Sequence, residues 1–140
     1  MKGFARAGDH DGADYEAVVL AFSRLSNAVI ADHTPEGTLA AASEMGTILL
    51  QADFGAAYLH EQDSGSISLA SAFRLKSPSR RSATPGEAVV SECIESGITI
   101  VVANISGDRR AGMAALAKQG VLSLICVPLA GQERRFGALM

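Results

Sequence analysis

Three histidines, two cysteines and a group of arginines are the side chains of this chain best equipped for chemistry on a small molecule. A hydrolase needs a nucleophile, a base to activate it and a group to orient that base. His10 falls in a stretch rich in Gly and Asp, His33 between two helical patterns, and His60 in a strand pattern beside Glu61. None belongs to a GxSxG, HExxH, P-loop or GxGxxG motif. His60 alone is a loose candidate for a base, and a strand-edge histidine at a rim is the commoner outcome. Cys93 and Cys126 stand 33 residues apart, which is the spacing of neither a zinc site nor a CxxC redox pair. Both read as reduced, buried, small hydrophobes. No pair of carboxylates is isolated in an apolar run, where a raised pKa would be expected. The sequence offers no catalytic constellation and no metal site, so the expectation is a domain that is not an enzyme.

The arginines pose a different question. Residues 1–73 hold ten acids and three bases, whereas residues 74–140 hold five acids and nine bases. Any anion-attracting surface belongs to the second half. Four bases lie among the first eight residues of RLKSPSRRSAT, from Arg74 to Thr84. Such a run is ordinarily a solvated loop. Its functional alternative is a positive pocket rim made by Arg74 with Arg109 and Arg110. A net charge of only −3 argues against a nucleic-acid binder. No apolar run is long enough for a membrane span, and the N-terminus lacks a signal-peptide core. A cytoplasmic protein is the expectation.

The elements that must position these residues follow from periodicity. Residues 1–13 carry no period and read as a flexible tail, and a domain follows over 14–140. Tyr15, Val18, Phe22, Leu25 and Val29 are spaced 3, 4, 3 and 4 apart, one helical stripe that also suits a dimer seam. Asp32 to Pro35 breaks that helix, and Thr34 caps the next, whose inward face reads as Leu39, Ala42, Met45 and Leu49. Two strands, Phe54–Gln62 and Ser66–Leu75, are joined by Asp63-Ser64-Gly65, a hairpin turn signal. In the second strand alternation puts Ile67, Leu69, Ser71 and Phe73 on one face. Thr84, Pro85, Gly86 and Glu87 form a capping-box pattern, and Gly97 stops the helix it opens. Ile98–Ala103 and Val121–Leu129 read as strands buried on both faces, with a turn at Asn104–Asp108 and a helix over Arg109–Gln119 between them. A last strand runs from Arg135 to Met140.

This order resembles a GAF domain, the small-molecule sensor module of signalling proteins. The carrying residues are PGEAVVSECIESG, ITIVVANI, and GVLSLICVPL followed after a turn by RFGALM, with a weaker likeness back to about Asp14. The resemblance implies an α/β (α+β) fold: a central antiparallel sheet of five or six strands, the N-terminal helices on one face and short helices with loops on the other. It implies a ligand between the sheet and the short helices, lined by Ser71 and Phe73 or their alternates on the strand, with Ala88, Val89, Ile105, Met113 and Cys126. For each apolar member plain core packing is the competing reading. It also implies a final helix, which is missing after Met140, so the chain reads as a truncated domain with an output module beyond.

Some GAF domains hold bilin through a cysteine followed by His; Ile94 and Val127 follow the cysteines here, so no covalent bilin is expected. A histidine-ligated haem would have to use His60. The leading expectation is a regulatory GAF domain of a histidine kinase, transcriptional regulator or similar protein. It would bind a small molecule and relay its state through Tyr15, Val18, Phe22, Leu25 and Val29 in a homodimer, with no nucleic acid or membrane partner. The alternatives are a ligand-free dimerisation module and, less favoured, a small redox enzyme of the free-methionine-sulfoxide-reductase kind, whose cysteine cluster Cys93 and Cys126 do not match.

Overall fold

A computed structural model describes residues 10–31, 34–76 and 84–140. The expected tail over 1–9, the helix break at Asp32 and His33, and most of the basic loop (77–83) lie outside the described residues. In chain order the elements are α1 (His10–Ala31), α2 (Pro35–Leu49), β1 (Gly55–Glu61), β2 (Ser66–Phe73) and α3 (Glu87–Ser96). There follow β3 (Ile100–Val102), a 3-10 turn (Ile105–Gly107), α4 (Met113–Lys118), β4 (Leu124–Ala130) and β5 (Arg135–Leu139). The helix expected from Asp14 already begins at His10. Once nucleated, a helix extends for one hydrogen bond per residue, past the first apolar position that periodicity can detect.

The five strands form one antiparallel sheet in the order β2-β1-β5-β4-β3. Its core side, beneath α3 and α4, gathers Ala56, Tyr58, Cys126 and Ala138 from the strands and Met140 just after β5, with Val89, Val90 and Cys93 from α3. Helix α2 lies on the opposite side against β1 and β2, and α1 packs on α2. That side is covered only in part. Val101 is 69% exposed, and Ile125 and Val127 also reach solvent. The strands expected to be buried on both faces are therefore buried on one, because α2 stops short of β3 and β4. Pro128 is tolerated in β4 because β3 pairs only with Leu124–Cys126, so no ladder donor is needed at Pro128.

Two helices differ from expectation in an informative way. Thr34 caps α2 as expected, its hydroxyl accepting from Gly37 N at 3.1 Å. Its buried face, however, is Leu39, Ser43 and Thr47 rather than Leu39, Ala42, Met45 and Leu49. Small hydroxyl residues suit a close approach to a strand because they satisfy themselves within their own helix. Ser43 Oγ donates to Ala40 O at 3.0 Å, and Thr47 Oγ1 donates to Ser43 O at 2.6 Å. Helix α3 begins at Glu87, two residues late, and the capping box is not formed. Carbonyls replace it: Glu87 N donates to Thr84 O, and Ala88 N donates to Ala111 O in the loop before α4. Helix α3 ends as expected at Gly97, whose N–H bonds Cys93 O at 2.9 Å.

Candidate functional site

Between the sheet and α3, four of the seven expected lining residues meet. Val89 from α3, Ile105 from the 3-10 turn, Met113 from α4 and Cys126 from β4 are buried together with Tyr58 and Leu116 in one cluster. Ala88 sits at the half-buried edge of α3. Ser71 and Phe73 do not join them, because the β1–β2 register slips by one residue: Ala57 pairs with Ser71 but Tyr58 with Leu69, leaving Ala70 as the extra residue. A bulge of this kind reverses the faces beyond it. Ile67, Leu69 and then Ala72 turn to the core, while Ser71 turns to α2, its hydroxyl 3.2 Å from Ser43 Oγ. Phe73, two residues on, shares Ser71's face.

The polar groups inside the cluster satisfy one another. Tyr58 Oη donates to Pro85 O at 2.7 Å, and Cys93 Sγ donates to Cys126 O at 3.4 Å. Burial pushes the Tyr58 phenol above its ordinary range, with Cys126 adding a smaller push. Burial likewise raises both thiols. At neutral pH these sulfurs stay protonated and shut away, the opposite of a reactive thiolate. Tyr58's partner lies 27 residues along the chain, beyond any local pattern, though a tyrosine in an apolar strand signals a buried hydroxyl that must find one.

The arginines do not form one rim. Arg110 is bound on both sides, Nη2 to Asp108 Oδ2 at 2.6 Å and Nη1 to Glu92 Oε2 at 2.6 Å. Those bonds raise its pKa, led by Asp108, and Arg110's hydrogen bonds hold the Asp108 carboxyl low. Asp108 also accepts from Arg110 N at 2.9 Å, so the expected turn continues through Arg109 and Arg110, where a helix was expected to start. Arg74 takes a left-handed backbone (φ 61°), stacks 4.8 Å over the Phe73 ring, and lines a groove on the α2 side. Arg109 is exposed. Arg135, not anticipated, reaches across to α3 and donates to Ile94 O at 2.7 Å and to Glu95 O, closing that helix's C-terminus.

The expected dimer stripe divides. Tyr15 is 73% and Phe22 70% exposed, and Val18 and Val29 are exposed as well. Leu25 is half-buried with Ala21 and Ala28, the face at 4- and 3-residue spacing that α1 turns toward α2. Among the described residues two further cavities stand out. One, of about 500 Å³, runs between the end of α2 and the open face of β4 and β5, lined by Thr47, Leu50, Ile125, Val127 and Leu139. The other, of about 490 Å³, is at the hairpin end and includes His60, Glu61, Arg134 and Phe136. His60 Nδ1 is buried without a hydrogen-bond partner. No helix among the described residues is long and apolar enough to cross a membrane.

A five-stranded antiparallel sheet with paired N-terminal helices on one side and short helices over the core on the other defines an α+β module. The sequence model of the GAF domain family matches residues 34–140, and the chain belongs to that family. Its fold is similar to that of free methionine-R-sulfoxide reductase from Neisseria meningitidis in complex with its substrate (TM-score 0.69, 20% identity, 99% of this chain and 78% of that one). It is also similar to the GAF domain of an Acinetobacter phosphoenolpyruvate-protein phosphotransferase (TM-score 0.68, 14% identity, 91% and 74%). A third is a methyl-accepting chemotaxis protein, residues 122 to 287 (TM-score 0.65, 13% identity, 86% and 80%). No curated protein matches the chain.

Proposed function

We propose that this GAF domain is the sensory, regulatory part of a larger cytoplasmic signal-transduction protein, such as a histidine kinase or transcriptional regulator. A small molecule binds on the α3–α4 side of the sheet, and its state is relayed through α2 to α1 in a homodimer. The observation that carries this reading is α1: it packs on α2 through Ala21, Leu25 and Ala28 yet leaves Tyr15, Val18, Phe22 and Val29 without cover. An exposed apolar strip of that extent needs a partner, and a helix coupled at once to the sheet and to a partner can report a shift in the sheet's surroundings. Membership of the GAF domain family, commonly sensory or regulatory, supports a signalling context.

One observation favours a second reading, a dimerising module without ligand: Val89, Ile105, Met113 and Cys126 fill the space where the ligand would sit. A redox enzyme is not favoured. Likeness at 20% identity carries the fold alone, and both cysteines are buried with raised thiol pKa values.

Native mass spectrometry before and after denaturation tests these readings, with Phe22→Glu as the comparison. The sensory reading expects a dimer with a mass excess lost on denaturation, and a monomer for Phe22→Glu with unchanged far-UV circular dichroism. A bare dimer transfers support to the second reading. A bare monomer at tens of micromolar sinks both.

A further inference from the structure

Building on the homodimer of the sensory reading, we propose that α1 docks on a second copy of this chain, its apolar strip seated in the groove beside that copy's α2 and not against its α1. Tyr15, Val19, Phe22, Ser26 and Ile30 recur every three or four residues and so share one flank of α1. That flank lies roughly a quarter turn from Ala21, Leu25 and Ala28, which face α2. Its four apolar members are between 51% and 73% exposed. At such exposures the strip offers roughly 400–500 Å² of apolar surface. A stable, specific interface buries about 800 Å² on each partner. The strip alone falls short, so a dimer held by α1 must enlist a second surface.

The groove supplies it. It opens on the same side of the sheet as α1, holds about 500 Å³ and is lined by Leu50, Leu122, Ile125 and Val127. Leu50 and Leu122 are 66% and 79% exposed. Its two hydroxyls, Ser43 and Thr47, are bonded within α2 and to Ser71, so apolar side chains entering the groove strand neither. Asp53 and Arg74 also line it, and neither is ion-paired among the described residues, so the Tyr15 hydroxyl meets a partner there. Shape points the same way. Tyr15 and Phe22, roughly 10 Å apart along the helix, are knobs suited to a concave surface, whereas two α1 helices packed together would leave both grooves empty. Seating each strip in the other copy's groove makes the contact twice about one two-fold axis. That closes the dimer and brings each copy to about the area that stable association needs. Strand β4 then serves both functions. It presents Ile125 and Val127 to the groove and Cys126 to the core cluster, so a shift on the α3–α4 side moves the floor on which the second copy's helix sits.

Cross-linking between copies tests this. Val19→Cys and Ser26→Cys put thiols on the strip two helical turns apart, and Ser123→Cys puts one in the groove. All three positions are exposed, while Cys93 and Cys126 are fully buried and stay out of the reaction. Whichever way α1 lies, one strip thiol comes near Ser123. Each variant alone, and each strip variant mixed with Ser123→Cys, is treated with a short bismaleimide and read by intact mass. The expected result, for at least one strip position, is a cross-linked heterodimer at about five times the yield of either variant alone, or more. Ile125→Glu should weaken the dimer at least tenfold with far-UV circular dichroism unchanged. Strip variants that link to themselves as readily as to Ser123→Cys would show α1 meeting α1. A dimer that links in no mixture, or that Ile125→Glu leaves at full affinity, would show that another surface holds it. Either result overturns the inference and leaves the homodimer standing. The homodimer itself fails on different grounds, a bare monomer in the native mass spectrum.

Discussion

Replacing Gly112 with Ala, beside the control Gly120→Ala, measures how tightly the loop before α4 is pressed onto the start of α3. Both glycines have left-handed backbones, φ 81° and 82°. A Cβ at Gly120 would meet nothing within 4 Å. A Cβ at Gly112 would lie 2.7 Å from both Gly86 N and Glu87 N, and closer still to Thr84 O. A left-handed alanine costs about 1–2 kcal/mol, offset by about 0.4–1 kcal/mol because alanine restricts the unfolded chain. Gly120→Ala should therefore cost roughly 1 kcal/mol. At Gly112 the contacting atoms are backbone and cannot rotate away, so the loop must lift. That sacrifices the Gly86–Gly112 and Ala88–Ala111 hydrogen bonds, about 1 kcal/mol each, and loosens the seats of Met113 and Leu116. The expected loss is about 3–4 kcal/mol, a fall in Tm of roughly 10–15 °C against about 3–5 °C for the control. Urea denaturation followed by circular dichroism, with thermal melts, reads both. Losses within 1 kcal/mol of each other would refute the close approach.

Two further outcomes follow from the core and from α3. Tyr58, Cys93 and Cys126 all hold their protons more tightly folded than unfolded. The unfolded chain therefore releases protons first as pH rises, and stability present below about pH 8.5 is lost above it. Tyr58 and Cys126 each add a slope of about 1.4 kcal/mol per pH unit once the unfolded form has ionised, with Cys93 acting in the same direction, so urea midpoints should fall steeply between pH 9 and 10.5; unchanged midpoints would contradict the burial. Arg135→Ala should cost about 1 kcal/mol by uncapping Ile94 O and Glu95 O, and Arg135→Lys should recover part of it. A neutral result in melts at low salt would mean that solvent caps α3 equally well.

The elements were legible wherever a local signal decided them. Thr34 with Pro35 marks the start of α2, Asp63-Ser64-Gly65 the hairpin, and Gly97 the end of α3, each acting within a few residues. Capping at Thr84 departs from its sequence pattern for an equally physical reason. The box is only one way to satisfy the first N–H groups of a helix, and here Ala111 O, 23 positions along the chain, supplies a partner to Ala88 N. Nothing in the residues near Thr84 distinguishes the two solutions. The same holds for β3 and β4, whose apolar composition predicts two covered faces while the coverage depends on how far α2 extends over the sheet.

The candidate site shows where period-based reasoning breaks. Its apolar members Val89, Ile105, Met113 and Cys126 were recoverable because burial and hydrophobicity coincide. Ser71 and Phe73 were lost to a single unpaired residue, Ala70, since alternation counts positions and cannot see a bulge. That slip also explains why α2 carries hydroxyls inward: the face turned toward it presents Ser71, and Ser43 meets it. The polar stripe on α2 and the bulge in β2 are thus two halves of one packing solution. Neither is interpretable from its own segment, and together they aim Ser71 at a helix instead of a ligand.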